Sequence, residues 1–206
     1  MVPGAPAYLV GLQPVQVKHG AMAAKRNWWI RGVVFGLAAV LALLIWVNRE
    51  QFAPIASGSH APEYTVQALD GNPRALSAYR GQTVLLNIWA TWCPPCVREM
   101  PALQRVHEQL GGDGLKIVAV SVDAAPGAIN AWGRPGGDIR KFMRDLGITF
   151  EVLWDPSGEI ETAYGLQGLP TTFLIDREGR IRERVTGWRE WDDAATVAAL
   201  RKLLEE

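Results

Sequence analysis

The feature that most constrains this 206-residue chain lies at 83–96, where a nearly unbroken apolar run, TVLLNIW, is followed three residues later by Cys93-Pro94-Pro95-Cys96. A run of that length without polar alternation suits a strand buried on both faces. Beyond the cysteines, Val97, Met100, Leu103, Val106 and Leu110 recur at helical spacing, and Gly111-Gly112 ends the pattern. The chain must therefore turn from a buried strand into a helix at the two sulfurs. A thiolate at a helix N-terminus is stabilised by the dipole and by unpaired amides, and such cysteines have pKa values of roughly 3.5–7.5 against an ordinary value of about 8.5. That makes Cys93 the nucleophile. Pro94 and Pro95 carry no N–H, so the amides of Cys96 and Val97 are left to serve its sulfur. Cys96, one turn inside the helix, is placed to resolve a mixed disulfide formed at Cys93.

Apolar runs at 115–122 and 150–154 read as further strands, and 138–146 and 159–164 as helices. Segments 64–69 and 74–76 form a hairpin around Asp70-Gly71-Asn72, segments 171–176 and 181–186 a second around Glu178-Gly179, and 192–204 a closing helix. A β-α-β block followed by β-β-α implies an α/β sandwich with a central mixed sheet.

Ahead of this unit, 32–47 carries no charge and, with 28–31, reaches the ~20 residues that span a bilayer. Lys18, Lys25, Arg26 and Arg31 precede the run, placing the N-terminus in the cytoplasm and everything after Val47 outside it. The predicted organisation is a disordered cytoplasmic tail at 1–27, a single transmembrane signal-anchor at 28–47, a Pro/Gly/Ser-containing linker at 48–60 and one folded domain at 61–206. The competing reading is a cleaved signal peptide, for which 53–58 offers only a poor site. Met22 is an alternative start.

Balanced charge, 21 basic against 21 acidic residues, gives no field that would gather nucleic acid. A zinc site needs about four ligands, and the chain has two cysteines and three histidines, His19, His60 and His107. A purely structural disulfide is disfavoured because closing so short a loop removes little unfolded-chain entropy.

The stretch LNIWATWCPPCVREMP, followed later by Gly168-Leu169-Pro170-Thr171-Thr172, resembles the membrane-anchored TlpA/ResA-like thioredoxin family, with its AhpC/TSA-redoxin type of domain. The resemblance covers 61–206 and implies a thioredoxin-like three-layer sandwich whose only redox group is the Cys93–Cys96 disulfide, with no metal or other cofactor. It implies that Pro170 is a cis-proline facing the dithiol; from the residues alone such a bond is trans in all but about 5–6% of cases. By the same likeness Leu169 presents its backbone to an extended substrate, and Trp92, Pro94, Pro95, Leu169, Pro170 and Thr171 form the substrate-binding surface. Glu99 matches an active-site glutamate that handles the Cys96 proton. Its alternative role is that of a first-turn acid favouring the helix dipole. Asn87 stands where thioredoxin itself carries a buried acid.

The family's activity is protein-disulfide reduction outside the cytoplasm, on the periplasmic or exterior side of a bacterial inner (plasma) membrane. Its partners are disulfide-bearing exported proteins, apocytochrome c among them, and a membrane dithiol electron donor. A thiol oxidase or isomerase remains open, because the same dithiol runs either way. A copper-handling chaperone would carry C-x-x-x-C and a distal histidine, and a peroxidase a threonine three residues before its cysteine; neither pattern occurs here. The Gly/Pro-rich loop 124–137 has Trp132 at its centre as a candidate partner contact. Trp188 and Trp191 read as core or surface cover.

Overall fold

The computed structural model describes residues 22–52, 57–130 and 132–206, with side chains at 28–44 and throughout the last two segments. The chain divides into two units, Met1–Gln51 and Phe52–Glu206. In the first, helix α1 spans Met22–Phe52, longer at both ends than the span read from hydropathy. Residues 22–27, expected in a tail, and 48–52, expected in a linker, are thus helical; residues 1–21 and 53–56 lie outside the described residues. Helical hydrogen bonding does not stop where hydropathy does, and Asn48 to Phe52 contain neither glycine nor proline to break it. The apolar side chains from Trp28 to Leu44 are exposed. Among the described residues, no helix is long and apolar enough to cross a membrane.

The second unit is built on one seven-stranded mixed sheet. Its elements are β1 (Thr65–Ala68), β2 (Pro73–Ala75), β3 (Thr83–Trp89), α2 (Pro94–Leu110), β4 (Leu115–Ser121), α3 (Ile139–Leu146), β5 (Glu151–Trp154), α4 (Glu159–Ala163), β6 (Thr171–Ile175), β7 (Ile181–Thr186) and α5 (Ala194–Glu205). The strand order is β2-β1-β5-β4-β3-β6-β7. Strands β3, β4 and β5 run parallel, while β1 and β6 join them antiparallel and bring in the two hairpins. Every residue of β3 is buried, as its unalternated sequence predicts for a strand covered on both faces.

Helix α2 passes through Pro101 without ending. Met100, Leu103, Val106 and Leu110 are fully buried along one face, and this burial, at roughly 1.5–3 kcal/mol per large side chain, can outweigh the proline's local cost. The ends of α3 and α5 fall one and two residues inside the expected starts because Asp138 and Asp193 are N-caps, each accepting backbone amides of the first turn. The predicted linker is tied down at its end: the Gly58 amide donates to the Ile181 carbonyl, the Ile181 amide to Ser59, and the Ala61 amide to Gly179.

Candidate active site

Strand β3 ends at Trp89, and the chain reaches α2 through a turn closed by the Cys93 amide donating to the Ala90 carbonyl. Cys93 is the N-cap of α2, with Pro94 and Pro95 at the first two helical positions. It forms a disulfide with Cys96. Cys93 is 5% exposed and Cys96 not at all, so a partner thiol can approach only the first sulfur. The Val97 amide, one of two expected to serve the Cys93 sulfur, donates instead to the Cys93 carbonyl, because the first i to i+4 bond of the helix claims it. Only the Cys96 amide is left for that role, and no hydrogen bond from it caps the Cys93 sulfur in the disulfide form.

The Leu169–Pro170 peptide bond is cis. The amide and carbonyl of Leu169 have no hydrogen-bond partner among the described residues, so its backbone is open to pair with an extended segment. The Pro170 carbonyl accepts from the Gly187 amide, which ties this segment to the end of β7. Thr171, expected on the substrate surface, is buried, and its hydroxyl donates to the Gly168 carbonyl. That side chain closes the turn around the cis-proline and faces no partner. Trp92 is half-buried against the core, with its indole N–H buried and unpaired among the described residues. Pro94 is exposed and Pro95 half-buried.

Glu99 lies in the second turn of α2 and is fully buried, so it is no first-turn acid facing solvent. Its Oε1 accepts from Asn87 Nδ2 at 2.7 Å and its Oε2 from Trp191 Nε1 at 3.2 Å. Burial, opposed by these hydrogen bonds and by the backbone at Arg189, pushes its pKa up to about 7. Asn87, on β3, also donates from Nδ2 to the Thr172 hydroxyl on β6. One amide thus connects the acid on α2 to the strand that follows the cis-proline.

A second carboxylate, which the sequence reading passed over, braces the other side of the turn. Asp123, fully buried just after β4, accepts from the Thr91 amide (2.9 Å) and hydroxyl (2.6 Å), the Ser121 hydroxyl (2.6 Å) and the Gly137 amide (2.9 Å). Any side chain at Gly137 would displace Thr91, because a Cβ there would lie 2.1 Å from Thr91 Oγ1. The loop 124–137 is therefore pinned at its base to the residue two before Cys93. Farther along it, half-exposed Trp132 donates its indole N–H to Glu161 at 3.0 Å. Arg98, five residues after Cys93, stacks over exposed Trp188 at 4.1 Å.

The sequence signal for Asp123 was an acid ending a buried strand, and for Trp191 only its aromatic character. Neither announces a partner. Among the described residues, no group of three or more His, Cys, Asp or Glu side chains could hold a metal ion.

Comparison with known proteins agrees with this geometry. Residues 57–184 match the AhpC/TSA family. The thiol-disulfide oxidoreductase ResA of Geobacillus thermodenitrificans is 37% identical over 159 residues, covering 76% of this chain and 85% of the relative. The Bacillus subtilis protein of the same name is 34% identical over 169 residues, 81% and 88% of the two chains. A Chlorobium tepidum structure, provisionally named thiol:disulfide interchange protein DsbE, superposes with a TM-score of 0.62 at 31% identity and covers 73% of this chain and 99% of its own. With a disulfide at the entrance of α2 and a cis-proline leading into β6, the chain belongs to the AhpC/TSA family and is a thiol-disulfide oxidoreductase of thioredoxin-like fold, similar to ResA.

Proposed function

We propose that this oxidoreductase reduces disulfides of exported proteins from the outer face of a bacterial inner membrane, to which α1 anchors it. The observation that carries the chemistry is the graded burial of the pair: a marginally accessible Cys93, a sealed Cys96, and a buried acid one turn farther along the same helix. In the reduced enzyme the Cys93 thiolate attacks a substrate disulfide, forming a mixed disulfide and releasing one substrate thiol. The Glu99 carboxylate then takes the proton of Cys96. The Cys96 sulfur attacks Cys93, the bond between Cys93 and substrate breaks, and the second substrate thiolate departs to be protonated. Two electrons pass to the substrate, and the enzyme is left with the disulfide described above.

Substrate enters as an extended segment beside Leu169 and Pro170, with Trp92, Pro94 and Pro95 forming the rim. A membrane dithiol protein restores the reduced state, and apocytochromes c, which present cysteine pairs, are the substrate class favoured by the family resemblance. Support for the anchor is the charge-free run 32–47 and the exposed apolar surface of α1 from Trp28 to Leu44.

Trapping tests the reading. Cys96→Ser expressed as the full chain should accumulate, in membranes that resist alkaline extraction, mixed disulfides joining Cys93 to exported proteins with paired cysteines. Adducts recovered only from Cys93→Ser would reverse the two roles, and cytoplasmic partners would overturn the location. The direction is tested by the reduction potential, which for a reductant lies nearer thioredoxin, at about −270 mV, than DsbA, at about −120 mV.

A further inference from the structure

Trp191 and Trp89 are both fully buried, yet they are used differently. Trp89 packs against Phe142 with ring centroids 4.9 Å apart, and its indole N–H finds no partner among the described residues, so the fold accepts a tryptophan that only fills space. Trp191 instead aims its N–H at a buried carboxyl oxygen contributed by a residue 92 positions away in the chain. Trp191 fills core space as Trp89 does, but its N–H donor also has a specific recipient.

We propose that Trp191 is a positioning residue of the dithiol site: its indole N–H, opposite the Asn87 amide, holds the Glu99 carboxyl in place along α2 from Cys96 and decides how readily that carboxyl gives up its proton. The inference rests on the reading that Glu99 exchanges a proton with Cys96. Every group closing on the acid is uncharged: Asn87 from β3, Thr172 beyond it on β6, and Trp191 ahead of α5, while the titratable neighbour on α2 itself is Cys96. Arg189 lies over the Trp191 ring at 5.1 Å, but its guanidinium is engaged by Glu183 and by the Thr196 hydroxyl. With no counter-cation in contact, the two neutral side-chain donors and the backbone at Arg189 are what favour the carboxylate over the acid.

The same shell can also serve the protonated form. Asn87 Oδ1 is buried and has no donor among the described residues. Rotation of the amide would turn that oxygen toward Glu99 and Thr172, each of which then carries a hydroxyl able to donate. Trp191 cannot reverse in this way, because an indole N–H only donates. It therefore biases the acid toward the charged state, in which Glu99 can accept the Cys96 proton.

The test is the pH dependence, from pH 5 to 9, of single-turnover insulin disulfide reduction by the reduced full-length protein. Trp191→Phe keeps an aromatic ring and deletes the donor, so the inflection due to Glu99 should move upward by on the order of one pH unit. In a Glu99→Gln background the same substitution should shift nothing. An inflection unmoved by Trp191→Phe but abolished by Glu99→Gln overturns the proposal while leaving the role of Glu99 intact. If Glu99→Gln leaves the inflection in place, the underlying reading of Glu99 fails and the proposal with it. Should Trp191→Phe not fold, the indole ¹⁵N–¹H resonance of Trp191 in the unaltered reduced protein decides. It should titrate with the midpoint of the Glu99 carboxyl, and a resonance flat through that midpoint refutes the assignment.

Discussion

The turn leading into α2 stands between two buried carboxyl groups that the fold treats in opposite ways. On one side Asp123 is met by four donors, two of them from Thr91, and every one of its bonds fastens backbone or side chain near the turn. On the other side Glu99 is met by two neutral side-chain donors, and burial raises its pKa to about 7. A carboxylate saturated with donors is a bracket. One served just well enough to remain near its midpoint at neutral pH can change charge during a reaction. The contrast separates a carboxyl that braces the turn from one whose pKa burial raises to about 7.

The sharpest way to break the contrast is Asp123→Ala. It strands two amides and two hydroxyls, each worth about 1–3 kcal/mol when buried without a partner, so the protein should lose at least ~3 kcal/mol of stability in urea unfolding. A loss below about 1 kcal/mol would show that water or rearrangement replaces the bracket.

Next in size is the pH dependence of stability. The folded pKa of Glu99 lies above its ordinary value of 4.5, so the native state holds that proton more tightly than the unfolded chain does. Its contribution is therefore fully favourable below about pH 4.5 and is lost as pH rises through about 7, amounting to roughly 3 kcal/mol. Glu99→Gln should flatten the decline in stability between pH 5 and 8. Equal slopes in the parent and Glu99→Gln would dissolve the distinction between the two acids.

Gly137→Ala probes the bracket more gently. Its new methyl would meet Thr91 Oγ1, and the overpacking should cost about 1–3 kcal/mol and slow disulfide exchange, because Thr91 leads directly into the cysteine turn. Smallest of all should be Trp132→Phe, which removes the half-exposed indole bond to Glu161 and should shift stability by less than about 1 kcal/mol.

The parts of this arrangement legible in the sequence are those set by local pattern. The apolar run of β3, the helical stripe of α2 and the hairpin turns at Asp70-Gly71-Asn72 and Glu178-Gly179 each encode their own conformation over a few neighbouring residues. The dithiol was legible for the same reason, since strand, turn and helix are consecutive. What the pattern could not carry was pairing over distance: Trp191 to Glu99 across 92 positions, and Thr91 to Asp123 across 32. Glu99 was marked by its match to the family's active-site glutamate, but its complete burial follows from how α2 seats against β3 and the segment before α5. Thr171 shows the reverse case. The resemblance placed it on the substrate surface, and its hydroxyl is spent on the backbone of its own turn.

The central claim is that one sulfur of the pair is marginally accessible to attack and acid-activated by the helix entrance, while the other is sealed behind it. The direct measurement is iodoacetamide alkylation of the fully reduced protein as a function of pH, with each cysteine followed by peptide mass spectrometry. The account predicts that Cys93 is modified first, with a midpoint below the ordinary thiol value of about 8.5, and that Cys96 lags at every pH. Equal rates for the two cysteines, or a Cys93 midpoint at or above that value, would contradict it.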